Sequence, residues 1–189
     1  MWCETNNVRL TPTYIRGERN VVADALSRPG QRQTSEWSLL PSVVKELFQV
    51  WGSPQVDLFA THLNTKLPLY VSSLPDPKAW EVDAFSFPWA RLEMYAFPPI
   101  SLIRMTLNKL RSSIDSRMIL IAPLWPQREW FPDLLELSSD RPRQLPISDS
   151  LLRQSLGGVF HRNVGMLRLH AWRLSSLSSE RRLFEPDCA

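Results

Sequence analysis

Apolar positions along the chain change spacing in a way that separates helices from strands. Between Pro41 and Trp51, residues Val44, Leu47, Phe48 and Trp51 recur at three- and four-residue intervals, the spacing of one helix face. Pro41 suits the first turn of that helix, and Gly52 ends it. The unbroken run Met118-Ile119-Leu120-Ile121-Ala122 predicts a strand covered on both faces. Shorter runs over 56–60 and 93–97 predict two more strands, the second stopped by Pro98-Pro99, which cannot continue a central strand. Leu102, Met105, Thr106 and Lys109 space out a helix over 102–110, and 129–137 reads as a short helix. Strands alternating with helices predict an α/β fold: a small, open, mainly parallel sheet with flanking helices over 37–156. In it the runs at 56–60, 93–97 and 118–122 are neighbours.

The two ends read differently. Val8 to Ile15 is strand-like, Gly17 fits a turn, and Asn20 caps a short helix that Pro29-Gly30 stops. Residues 31–36 are polar and linker-like. Residues 157–189 are rich in Arg and Ser, and 175–182 has little to bury, so this end is expected to be a loosely ordered linker.

Composition narrows the function. The chain has 189 residues, 43% apolar and 22% charged, enough for one ordinary domain with flanking pieces. No glycine lies between Ser53 and Leu156, which removes P-loop and glycine-rich dinucleotide readings for the middle of the chain. A net charge of +3 is too small for a tail that coats nucleic acid, but the basic residues are 18 Arg and only 4 Lys. The planar guanidinium suits phosphate and carboxylate. Cys3 and Cys188 stand alone at opposite ends, too few for a zinc site or a disulfide framework. Neither a signal peptide nor an apolar run near the roughly 18 residues of a membrane span is visible. The expectation is an intracellular protein, in the nucleus or cytoplasm, without a membrane partner; oligomeric state is not readable. His62, His161 and His170 are too scattered to suggest a metal site or a triad. Trp80, Trp89, Trp125 and Trp130 sit near prolines and are expected in the core rather than on a base-stacking surface.

Two stretches carry chemistry by resemblance. Ile15-Arg16-Gly17-Glu18-Arg19-Asn20-Val21-Val22-Ala23-Asp24-Ala25-Leu26-Ser27-Arg28 resembles the carboxy-terminal end of ribonuclease H domains in retroelement reverse transcriptases. The resemblance implies that Asp24 matches the last of four carboxylates that hold two Mg²⁺ ions, where one metal activates a water and the other steadies the leaving oxygen. One carboxylate cannot do this. Residues 1–30 therefore read as a remnant, with Asp24 a metal ligand only in an intact parent domain.

The middle of the chain resembles phage-type DNA N6-adenine methyltransferases. Val56-Asp57-Leu58-Phe59-Ala60, then Asn64, Lys66 and Tyr70, are similar to that family's Asp-x-x-Ala…Asn-x-Lys…Tyr block. Phe97-Pro98-Pro99-Ile100 stands where the family has Asn-Pro-Pro-Tyr, and Trp130-Phe131 follows the apolar run as in the family. The resemblance implies Asp57 and Asn64 as contacts to S-adenosylmethionine; read from the residues alone, both could instead satisfy a turn. The family's acceptor for the adenine amino group is replaced by Phe97, and its stacking aromatic by Ile100. Neither accepts a hydrogen bond, so the site Phe97, Pro98, Pro99 and Ile100 is degenerate, and a shallow cleft is expected near Asp57 and Pro98.

A ribonuclease H tail joined to such a domain resembles DIRS-type retroelement polyproteins, in which a tyrosine recombinase follows. Leu167 to Ser175 is similar to the linker entering that recombinase. The resemblance implies a fragment of a retrotransposon polyprotein, nucleic-acid-associated, without catalysis of its own. Its parent would be a reverse transcriptase and ribonuclease H acting on DNA or an RNA–DNA hybrid with Mg²⁺. Two other readings stay open: an active S-adenosylmethionine-dependent adenine methyltransferase, and a host structural or interaction protein that reuses the fold.

Overall fold

A computed structural model describes residues 37–155 and 158–182. The readings placed on 1–36, including the ribonuclease H-like remnant, Asp24 and Cys3, lie outside the described residues, as does Cys188.

The described chain is a mixed α/β domain. Its strands are β1 (Trp37–Leu39), β2 (Val56–Asp57), β3 (Val71–Ser72), β4 (Glu81–Val82), β5 (Glu93–Ala96), β6 (Arg117–Pro123), β7 (Arg143–Gln144), β8 (Leu152–Gln154) and β9 (Leu169–Ser175). The helices are α1 (Pro41–Trp51), α2 (Ile103–Ser112), α3 (Phe131–Leu137) and α4 (Val164–Leu167). The central sheet has the order β2-β5-β6-β9-β7. β1 pairs with β8, and β3 with β4, outside it.

The three strands read from the sequence are neighbours in the expected order and parallel: Asp57 stands beside Tyr95, and Tyr95 beside Ile119. β2 is shorter than the 56–60 run, because after Asp57 the chain turns away to build the connection to β3. The sheet is only half parallel. β9 runs antiparallel to β6 over seven residues, and β7 antiparallel to β9.

β9 corrects the domain boundary expected at 156/157. Within the Arg- and Ser-rich end, Leu169, Ala171, Trp172 and Leu174 are buried, and the strand sits in the sheet next to its longest parallel member. Arg173 interrupts the apolar run and Ser175 ends it, which hid the strand in the sequence. Nor is the following stretch loose. Arg117 grips Glu180 through Nε and Nη2, at 2.9 and 2.6 Å, tying the turn after β9 to the start of β6.

Alternation along the strands sends successive side chains to opposite faces. Met94, Ala96, Met118, Leu120, Ala122, Trp172 and Leu174 face α2 and α3 and meet Ile103, Leu107, Leu110, Phe131, Leu134 and Leu137. Tyr95, Ile119, Ile121, Leu169 and Ala171 face the other way, where Val44, Leu47 and Trp51 of α1 cover them with Leu39 and Leu152.

The α1 bounds are those its spacing predicts, with Gly52 leaving the helix at a φ of 87° that favours glycine. In α2 the buried face is Ile103, Thr106, Leu107 and Leu110 rather than the one set by Leu102 and Met105; Met105 is 50% exposed. The helix begins one residue later than expected, after a 3-10 turn over Ile100–Leu102. Lys109 lies over the rings of Phe85, Phe87 and Trp89 and donates to the carbonyls of Ala84 and Phe85. Trp89 and Trp130 are core residues and Trp125 packs at the core's edge, but Trp80 is 42% exposed. Among the described residues no helix is long and apolar enough to cross a membrane.

Candidate ligand site at the carboxyl ends of the parallel strands

β2, β5 and β6 all point their carboxyl ends to one edge of the sheet. In open α/β sheets this edge is where ligands bind, because the chain leaves each strand there as a loop with unpaired polar groups. The two sequence blocks converge at it. Asp57 closes β2, and Phe97-Pro98-Pro99-Ile100 leaves the adjacent β5, only two residues beyond the Tyr95 that stands beside Asp57.

Asp57 is 2% exposed. Its carboxylate accepts the backbone N–H of Lys66 at 2.9 Å and, more weakly, that of Phe59 at 3.4 Å. Asn64 Oδ1 accepts from Thr61 N at 2.6 Å and from Thr61 Oγ1 at 3.2 Å. Both side chains therefore organise the 57–66 connection, satisfying backbone donors that a turn would otherwise leave without partners. Phe97 is half-buried and packs with the α1-side core. Pro98 is buried, Pro99 precedes the 3-10 turn, and Ile100 is 41% exposed.

Three more residues join this edge: Lys66, which belongs to the motif block, and Tyr95 and Phe48, which the motif reading did not single out. Tyr95 is buried, and its hydroxyl has no hydrogen-bond partner among the described residues. Burial, reinforced by the negative charge of Asp57, pushes the phenol well above its ordinary pKa. Phe48 of α1 stands edge-on to Tyr95, with ring centres 5.6 Å apart. Lys66 reaches across to β1, donating from Nζ to Ser38 Oγ at 2.6 Å. Burial lowers its pKa, and Asp57 partly offsets that.

Between α1 and the 57–66 connection lies a groove of about 510 Å³ lined by Val44, Lys45, Phe48, Gln49, Thr65 and Lys66, with Pro41 and Ser53 at its margins. Among the described residues no carboxylate lines it. The signal for it was present in the sequence as Val44/Phe48, an apolar pair four apart on α1, beside the polar pair Lys45/Gln49. Which loop would face them was not visible.

The histidines stay apart. His170 is buried on β9, its Nδ1 2.8 Å from the carbonyl of Arg168, and burial lowers its pKa. His62 lies 3.4 Å from Asp76, and His161 stands edge-on to Trp37. Among the described residues no three His, Cys, Asp or Glu gather as a metal site.

Charge is divided unevenly. From Arg141 to Arg182 there are eight arginines and two acids, Asp149 and Glu180, whereas residues 37–140 hold nine basic and eleven acidic residues. The basic excess thus belongs to the part of the domain built around β9. No protein-family model matches the chain, and neither does any curated protein.

Proposed function

We propose that this domain is a non-catalytic, nucleic-acid-associated part of a retroelement polyprotein, descended from an adenine methyltransferase. The observation that carries the reading is the convergence of the Asp57 turn and the Phe97-Pro98-Pro99-Ile100 segment on adjoining strand ends. That convergence supports a shared ancestry for the two blocks, and the same geometry argues against turnover. A flipped adenine at this edge would meet Phe97 where an acceptor is required. Leaving its buried amino group unpaired costs about 1–3 kcal/mol. Ile100 in place of a stacking aromatic removes roughly another 1–3 kcal/mol. S-adenosylmethionine has no part in the proposal, because the Asp57 carboxylate is enclosed and already engaged by backbone donors. Association with nucleic acid is supported by the arginine excess of 141–182, since guanidinium groups pair well with phosphate.

Incubating the purified chain with methyl-labelled S-adenosylmethionine and duplex DNA should give no labelled adenine. Labelled adenine would overturn the reading. The double change Phe97→Asn with Ile100→Tyr restores the missing acceptor and aromatic, and any gain of label with it would support the assignment of the edge. Reverse-transcriptase coding sequence directly upstream in the genome, with recombinase sequence downstream, is the expected setting. An ordinary host gene on both sides would favour the reused-fold reading instead.

A further inference from the structure

We propose that the groove between α1 and the 57–66 connection holds one nucleotide of a single-stranded nucleic acid, with its phosphate between Lys45 and Lys66 and its base against Phe48. The inference rests on the nucleic-acid reading above and adds to it a site and a strand preference. The groove's volume of about 510 Å³ falls within the range of ligand pockets, roughly 300–1,000 Å³. Among the described residues its lining carries two ammonium groups and no carboxylate, an arrangement that favours anions although the buried Asp57 carboxylate also acts on Lys66.

Lys66 is the stronger of the two anchors. Its ammonium is partly withdrawn from water and has Ser38 Oγ as a neutral partner, while an ammonium carries three donors. An anionic oxygen is a better partner for the remaining N–H groups than a second neutral oxygen. Lys45 is exposed on α1, one helical turn before Gln49, and can close on the same phosphate.

Between these cations the wall is apolar, formed by Val44 and Phe48. The edge-on contact with Tyr95 fixes the Phe48 ring, so little freedom is lost when a base lies on it. A base inside a duplex has both faces covered by its neighbours, whereas a base in a single strand can present one. That distinction sets the strand preference.

The test is fluorescence anisotropy of the full chain with labelled oligothymidylate and with a labelled duplex, across a series of salt concentrations. The unmodified protein is expected to bind both. Lys45→Gln with Lys66→Gln should weaken oligothymidylate binding roughly tenfold and reduce the magnitude of its salt slope by about 0.7, the loss of one phosphate contact. Phe48→Leu keeps an apolar side chain under α1 and should weaken the single strand by roughly tenfold as well. Duplex binding through the arginines of 141–182 should remain within about twofold in every variant. Lys45→Gln alone, at an exposed position, should give a smaller loss and guards against a folding artefact at Lys66. Unchanged oligothymidylate affinity in the double-lysine variant overturns the groove while leaving the nucleic-acid reading intact. Equal loss of duplex and single strand also overturns it. Absence of binding to either nucleic acid removes the broader reading as well.

Discussion

On the α2–α3 face of the sheet, Met118, Leu120, Trp172 and Leu174 meet Ile103, Leu107, Leu110 and Leu134, and the Trp172 indole N–H donates to the carbonyl of Ala122 at 3.2 Å. On the α1 face, Ile119, Ile121 and Ala171 share the layer with Asp57 and Tyr95, beside Lys66 and the open groove. Both faces come from the same strands, one residue out of phase. The first is closed, with its indole donor satisfied. The second retains an enclosed carboxylate, a partly buried ammonium and a phenol without a partner among the described residues. Asp57 and Lys66 have hydrogen-bond partners, so of these three groups it is the Tyr95 hydroxyl whose burial is uncompensated among the described residues. The contrast locates the candidate site on the α1 side.

The largest effect expected from this contrast is in the response to cavities. Leu107→Ala in the closed layer should cost about 3–5 kcal/mol, read as a fall in the urea midpoint. Leu47→Ala on the α1 side should cost less, about 2–3 kcal/mol, because the neighbouring groove lets the layer relax. Equal losses would break the comparison.

The clamp that fastens β9 comes next. Arg117 and Glu180 are each about one-third exposed, so Arg117→Ala should cost about 1 kcal/mol after allowance for solvent screening.

The same clamp predicts a pH dependence. The bond from Arg117 holds the Glu180 carboxyl below its ordinary pKa. Burial opposes ionisation of Asp140, but the Trp51 indole N–H, the Arg141 backbone N–H and the charges of Arg143 and Arg173 outweigh it. A carboxylate with a folded pKa below its unfolded one stabilises the fold fully above the unfolded value. That contribution is lost as pH falls through the folded value. The unfolding midpoint should therefore fall in two stages as pH drops. It falls gently below about 6.5, where the buried His170 takes up a proton in the unfolded chain before the folded one. It falls further below about pH 4, where the two carboxylates are protonated. Arg117→Ala should remove part of that second fall.

The smallest effect sharpens the polar side of the comparison. Tyr95→Phe deletes a buried hydroxyl that has no partner among the described residues and should leave stability unchanged or raise it by up to about 1 kcal/mol. A loss greater than that, measured by urea titration, would mean the hydroxyl makes a stabilising bond.

What was legible in the sequence depended on local pattern. The α1 bounds, the buried run 118–122 and the adjacency of 56–60, 93–97 and 118–122 rest on period and β-propensity, which act over a few residues. The two-residue strands β3, β4 and β7 carry no period to read. β9 was missed for a different reason: Arg173 and the surrounding Ser and Arg residues give it the composition of a linker, although four of its six buried positions are apolar. For the candidate site, Asp57 and Phe97 to Ile100 were found by motif. Tyr95 and Phe48 were not, because a buried tyrosine and a helix phenylalanine look like ordinary core.

The sequence by itself determined an α/β fold with three parallel neighbours, at whose carboxyl ends Asp57 and Phe97-Pro98-Pro99-Ile100 lie. These follow from residue type and short-range spacing. Only the tertiary structure decided that residues 169–175 complete the sheet, that Asp57 is spent on the backbone of its own turn, and that Lys66 faces α1 across a groove. Each of those depends on pairing between segments far apart in the chain, where the free energy comes from burying two surfaces against each other, and neither surface alone specifies its partner.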